Sequence, residues 1–217
     1  GVAFTYNDPV VWIEYVHDVC AAFKEAGLYT AFITAAYMTE EALDYVAPVV
    51  DAFKFDLKAA TAEGWARLGK VKDPAPACAA TVRAKELHGC HVEVVSNIVP
   101  GLNDDDAGLT AMASWVRDSL GPGTPWHVTR FMPEFELSYL PPTPIKTLER
   151  AVNFARAAGL RFVYVGNVQG HPGRHTVCPA CGRTVIQRGE RKVEMLGVRQ
   201  GRCGACGEDL GLVCAAD

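Results

Sequence analysis

Two short cysteine pairs constrain this chain more than any other feature. Cys178-Pro179-Ala180-Cys181 and Cys203-Gly204-Ala205-Cys206 are two Cys-x-x-Cys knuckles with 21 residues between them. That spacing predicts a tetrahedral zinc site closed by four thiolates, structural rather than catalytic because no ligand position stays open. Gly182 and Gly207 follow the second cysteine of each pair, where the knuckle needs a residue that accepts positive φ. The alternative is two disulfides. The rest of the chain reads as a cytoplasmic enzyme, a compartment that favours zinc. Cys20, Cys78, Cys90 and Cys214 are scattered singly and are read as inert.

The chain has 217 residues, 49% of them hydrophobic and 21% charged. That suffices for one large core and a small satellite. A net charge of −4 argues against wholesale nucleic-acid binding. The local basic run of Arg183, Arg188, Arg191, Lys192, Arg199 and Arg202 reads as a solvated face. No apolar run reaches the ~20 residues of a membrane span, and no signal peptide is evident.

Residues 1 to about 170 alternate β-rich runs with amphipathic helical stretches. Strands are expected at Val2–Tyr6, Tyr29–Thr34, Ala52–Leu57, Val92–Ile98, Trp126–Phe131 and Phe162–Val165. Asp8-Pro9, Asp73-Pro74 and Thr143-Pro144 each pair an N-cap residue with proline at the first helical position. Acids at Asp104, Asp105 and Asp106 suit a helix start, and Gly27 and Gly159 suit helix ends. Such alternation implies parallel strands with right-handed crossovers, in either a (β/α) barrel or a doubly wound sheet. After Gly170-His171-Pro172-Gly173, short antiparallel strands at Thr184–Gln187 and Lys192–Leu196 complete a zinc ribbon. A unit of that size holds its fold through metal binding, on the order of 10–16 kcal/mol.

In parallel α/β folds, ligands sit at the C-terminal ends of the strands. The residues there are Tyr6-Asn7-Asp8, Thr34, Asp56-Leu57-Lys58, Asn97 with Pro100 to Asn103, Arg130, Asn167 and His171. Amides, carboxylates and two cations suit a ligand carrying both an amine and a carboxylate. Structural explanations compete. Asp8 before Pro9 is a good N-cap, Lys58 pairs readily with Asp56, and His127 fits a satisfied core position. Arg130, at the tip of an apolar strand, reads as functional. No Ser-His-Asp set, P-loop or Gly-x-Gly-x-x-Gly turn is present.

Gly1 to Pro9, Asp56-Leu57-Lys58, Val99 to Asp104, Thr124 to Phe131, Leu140 to Pro144 and Tyr164 to Asn167 occur in an order that resembles radical SAM enzymes. The likeness is to the AmmeMemoRadiSam-system type, relatives of the pyruvate formate-lyase-activating enzymes, and it covers nearly the whole chain. It implies a partial TIM barrel that binds S-adenosylmethionine beside a [4Fe-4S] cluster and yields a 5′-deoxyadenosyl radical for hydrogen abstraction. It also implies an electron donor such as flavodoxin or ferredoxin, and a substrate that in the activating enzymes is a partner protein. By resemblance, Tyr6, Asn7 and Asp8 meet the methionyl ammonium. Asp56 and Lys58 match an Asp-x-Lys motif near the methionyl end, Thr34 belongs to the same binding site, and Asn97 and Arg130 lie over the nucleoside or carboxylate.

The cluster motif Cys-x3-Cys-x2-Cys is absent from the 217 residues, and is expected upstream of residue 1. Thr34-Ala35-Ala36-Tyr37-Met38 replaces a more polar strand end, and Asp8 stands where Glu is common. The reading is therefore residues 1–170 as part of a radical SAM barrel and 171–217 as a zinc ribbon, the chain not active alone. An opening in mid-strand reads as the back part of a longer protein, with exposed edges and low stability or oligomerisation expected. Two rivals remain: a non-catalytic module whose ribbon docks a partner, and an aldolase-type barrel with Lys58 as Schiff-base lysine.

Overall fold

The computed structural model describes residues 1–212. Cys214 lies outside them. Six strands, β1 (Val2–Phe4), β2 (Thr30–Thr34), β3 (Ala52–Asp56), β4 (His91–Ile98), β5 (Trp126–Arg130) and β6 (Val163–Gly166), form one sheet. Every neighbouring pair is parallel, and the spatial order equals the chain order. A doubly wound sheet would reverse direction at a switch point. This one winds one way throughout, as part of a (β/α) barrel, with β1 and β6 as its edges.

The six principal helices are α1 (Ile13–Glu25), α2 (Glu40–Val46), α3 (Ala62–Leu68), α4 (Ala75–Glu86), α5 (Asp106–Leu120) and α6 (Ile145–Ala157). In α5 the buried residues are Leu109, Met112, Ala113, Val116 and Leu120, the i, i+3, i+4, i+7 pattern of one apolar face. Leu148, Ala151, Val152 and Ala155 repeat it in α6. The strands answer with period 2: Val92, Val94, Ser96 and Ile98 are buried under the helices, while Glu93, Val95 and Asn97 turn to the concave face. Trp65 and Trp126 are fully buried. Each indole N–H is satisfied, by Ala59 O at 2.9 Å and by Ser96 Oγ at 3.0 Å, so their apolar burial carries no polar penalty.

Of the three expected cap–proline pairs, Asp8 caps the 3-10 turn Pro9–Trp12 that leads into α1, accepting from Val10 N–H. Asp73 accepts from Ala75 N–H but stands one residue ahead of Pro74, the N-cap of α4. Asp105, one of the expected acids, caps α5 by accepting from Gly108 N–H. Thr143 does not cap α6. Its hydroxyl donates to Ile98 O at 2.5 Å and accepts from Phe131 N–H at 2.9 Å, so it ties the ends of β4 and β5 instead. Gly27 (φ 69°) and Gly159 (φ 95°) end α1 and α6 in the left-handed region, as expected of glycine at those positions.

The C-terminal segment adds β7 (Thr176–Val177), β8 (Thr184–Arg188) and β9 (Val193–Met195) as an antiparallel sheet, and β10 (Val198–Arg199) with β11 (Arg202–Cys203) as a hairpin. The alternation had pointed to β8 and β9; β7, β10 and β11 are two-residue strands too short to leave a period. The ribbon is docked on the barrel. Phe162, just before β6, is buried with Val185, Ile186, Cys178, Cys203 and Leu210 in a second core. Arg161 reaches across to Glu208 Oε1 at 2.6 Å and Asp209 O at 2.7 Å. The ribbon thereby sits beside the β6 edge of the sheet.

Candidate functional site

The C-terminal ends of β1, β2 and β3 converge on an open cavity of about 340 Å³ lined by Tyr6, Asn7, Asp8, Thr34, Asp56 and Lys58. Six of the eight residues expected to contact a ligand thus come together. Asp8 links the first two strand ends. Thr34 Oγ1 donates to its Oδ1 at 2.7 Å, and Ala35 N–H donates to its Oδ2 at 2.8 Å. Thr34 in turn accepts from Ala36 N–H at 2.9 Å, an Ala36 that holds a left-handed φ of 55°. Asp8 is therefore both a cap and a clasp.

Asp56 and Lys58 form an ion pair through Asp56 Oδ2. The other oxygen, Oδ1, is buried and has no hydrogen-bond partner among the described residues. A buried carboxylate oxygen left unpaired costs about 1–3 kcal/mol, so its natural complement is a donor on a ligand in the cavity it lines. Lys58 keeps two ammonium protons beyond its bond to Asp56, and these suit a carboxylate. Donor and acceptor side by side match an amino-acid-like group.

Asn97 and Arg130 lie elsewhere. Asn97 is exposed on the concave face at the end of β4. Arg130 is turned away from the cavity: its Nε donates to Thr143 O at 2.9 Å, and its main-chain oxygen accepts from Asn167 Nδ2 at 3.2 Å. His171 caps the turn that follows, accepting from Gly173 N–H at 3.0 Å.

The sequence reading placed Asn103 among the strand-end residues and His127 in a satisfied core position, but it found neither the bridge that Asn103 makes nor the partner of His127, Glu93. Asn103 is buried and bridges three main-chain groups: Val99 N–H, Lys58 O and Asn97 O. Its place after Pro100-Gly101 marked a turn but not this bridge. Glu93 and His127 form a second pair on the concave face, with His127 Nε2 2.8 Å from Glu93 Oε2. Burial pushes the Glu93 carboxyl upward, but hydrogen bonds from His127 and His91 outweigh it and hold the group well below the usual carboxylate range. His127 Nε2 therefore carries the proton. An acid at the centre of an apolar strand was the available signal.

In the ribbon, Cys178, Cys181, Cys203 and Cys206 bring their sulfurs within 4.8 Å of one another. Cys178 and Cys206 are 3.6 Å apart and Cys181 and Cys203 3.8 Å, all four as free thiols. Four thiolates at 2.3 Å around one ion stand about 3.8 Å apart, so the set fits a single tetrahedral metal ion. Gly182 and Gly207 take φ of 72° and 76°, as the knuckles require. Main-chain N–H groups of Ala205 and Cys206 point at Cys203 and pull its thiol down to about 6. At Cys206 an N–H from Glu208 favours the thiolate, but desolvation and the adjoining thiols prevail and push it up to about 12. Four sulfurs this close share negative charge poorly unless a cation lies between them.

Cys20, Cys78 and Cys90 sit on α1, on α4 and ahead of β4; Cys20 and Cys90 are buried, and burial raises all three thiols. They form no common ligand set. The described residues hold no site for an iron–sulfur cluster at the strand-end cavity.

No family model matches the chain. An uncharacterized protein of Methanocaldococcus jannaschii is 40% identical over 215 residues, which is 98% of this chain and 63% of that protein. The chain thus spans less than two thirds of the length of that relative. Among solved structures, a domain of a pyruvate-formate lyase-activating enzyme from Bacteroides vulgatus superposes with a TM-score of 0.66 over 77% of this chain and 99% of that one, at 15% identity. A radical SAM methyltransferase from Sphaerobacter thermophilus gives 0.61 over 77% of this chain and 52% of that chain, at 16% identity. A maturase of the [FeFe]-hydrogenase gives 0.55 over 73% and 38%, at 20% identity. The barrel is therefore of the kind found in radical SAM and activating-enzyme-like proteins. Among the described residues no helix is long and apolar enough to cross a membrane.

Proposed function

We propose that this chain is part of a radical SAM enzyme, with residues 1–170 as its S-adenosylmethionine-binding barrel and 171–217 as a zinc-binding ribbon. The observation that carries the reading is Asp56 Oδ1, a buried acceptor without a partner, beside the Lys58 ammonium at the strand ends. In this reading Asp56 accepts from the methionyl ammonium and Lys58 donates to the methionyl carboxylate. Tyr6, Asn7 and Thr34 wall the site, and Asp8 holds the ends of β1 and β2 in place. Asn103 fixes the main chain of Lys58. With a [4Fe-4S] cluster and one electron from a reduced donor, bound S-adenosylmethionine would supply the means of abstracting hydrogen from a substrate.

The described residues offer no ligand set for the cluster at the strand-end cavity; in this reading its ligands come from sequence outside the 217 residues. That agrees with a relative about half as long again. The likeness to the AmmeMemoRadiSam-system type belongs to the same reading, as do a cytoplasmic location and a flavodoxin or ferredoxin as electron donor. Zinc in the ribbon is favoured by the compact sulfur set.

The test is a titration of the chain with S-adenosylmethionine followed by NMR. Saturable shifts at Tyr6, Thr34 and Lys58 support the reading. No interaction at millimolar ligand overturns it in favour of a non-catalytic barrel with a docking ribbon.

A further inference from the structure

The concave face carries a second polar pocket, remote from the β1–β3 cavity, which the radical SAM reading does not use. Its volume is about 580 Å³, and barrel and ribbon both line it. From the barrel come His127 and Tyr164, neighbours in register on β5 and β6. Their rings stack with centroids 5.0 Å apart. From the segment leading into the ribbon, and from β8, come Arg174 and Arg188.

His127, Tyr164 and Arg188 are held by neighbours, while His127, Arg174 and Arg188 keep unused polar atoms. His127 Nε2 is engaged by Glu93, which leaves Nδ1 without a partner among the described residues. Arg188 lies 5.2 Å from the centre of the Tyr164 ring. Its Nη1 donates to Arg174 O and to Thr176 Oγ1, which leaves Nε and Nη2 open. Tyr164 Oη in turn meets Thr176 Oγ1 at 3.0 Å. The Arg174 guanidinium makes no ion pair or hydrogen bond among the described residues. The one acid lining the pocket, Glu190, is hydrogen-bonded to Gln169. A guanidinium fork held over an aromatic ring, with a second arginine lining the same pocket, is the arrangement that recognises planar or tetrahedral oxyanions.

We propose that this pocket binds the carboxylate or phosphate group of a small anionic ligand, held by Arg174 and Arg188 against the stacked rings of His127 and Tyr164. The ribbon is then one wall of a binding site as well as a metal-held module. The inference does not depend on what occupies the β1–β3 cavity.

The experiment is NMR on the full chain, titrated separately with inorganic phosphate and with succinate as probes. At least one probe is expected to give saturable shifts at the His127 imidazole and the Arg188 Nε–H. Saturation by phosphate alone or succinate alone assigns the oxyanion class. Arg174→Gln is expected to weaken that binding about tenfold, the scale of one lost charge-assisted hydrogen bond. Arg67→Gln, an exposed arginine outside the pocket, serves as the control and is expected to leave it unchanged. The inference is overturned if neither probe saturates at His127 and Arg188, or if Arg174→Gln binds as tightly as Arg67→Gln.

Discussion

Asn103 Nδ2 lies 2.7 Å from the main-chain oxygen of Lys58, while Asn103 Oδ1 takes the Val99 N–H at 2.7 Å. One buried amide thus locks the loop after β3 to the end of β4 and sets where Lys58 starts. Asn103→Ala leaves the Val99 N–H and the Lys58 and Asn97 carbonyls unpaired. The expected loss is about 3 kcal/mol, which for a chain of this size lowers Tm by roughly 6–12 °C. Thermal unfolding by circular dichroism checks it; a shift within a degree of wild type would show that the bridge does not hold the site.

Glu93 carries a pH dependence of definite sign. Its carboxyl is held low in the folded protein, so the unfolded chain binds the proton more tightly. The contribution is full above the unfolded pKa of about 4.3 and is lost as pH falls below it. Glu93→Gln is expected to cost about 1–2 kcal/mol at pH 7, the scale of a hydrogen bond to a charged group at a partly exposed site. The deficit should shrink as pH drops below 4. Urea unfolding of both proteins at pH 7 and near pH 3.5 measures it, and a deficit unchanged between the two would refute the assignment.

The ribbon depends on its metal. About one zinc per chain is expected, and removing it with a strong chelator should collapse the amide resonances of β8 and the Cys203 knuckle. Because Phe162 is buried against Val185 and Ile186, the loss should reach β6 at the barrel edge. Cys181→Ser should weaken metal retention without touching the β1–β3 cavity. A metal-free chain with intact ribbon resonances would contradict this account.

Much of this architecture was legible because it rests on local chemistry. Strand–helix alternation marked all six barrel strands to within two residues, since period 2 and period 3.6 differ plainly in runs such as Val92–Ile98 and Leu109–Leu120. The Cys-x-x-Cys spacing marked the four sulfurs that meet, because each knuckle is local and only their pairing is not. What stayed hidden was decided across the chain. The role of Thr143 as a tie between β4 and β5 looks from sequence like a helix cap. The bridge at Asn103 needs the loop after β3 beside it. The turn of Arg130 toward Thr143 follows from strand parity, which a run of apolar neighbours conceals. The choice between barrel and doubly wound sheet was settled only by strand order.

The most direct measurement compares S-adenosylmethionine binding by the wild-type chain, Asp56→Asn and Lys58→Met, using methyl-labelled ligand and NMR. The account predicts saturable binding by wild type and a loss of about tenfold in each variant, since each removes one charged partner of the methionyl group. Equal binding by all three, or none by wild type, would contradict the assignment of the strand-end cavity to S-adenosylmethionine.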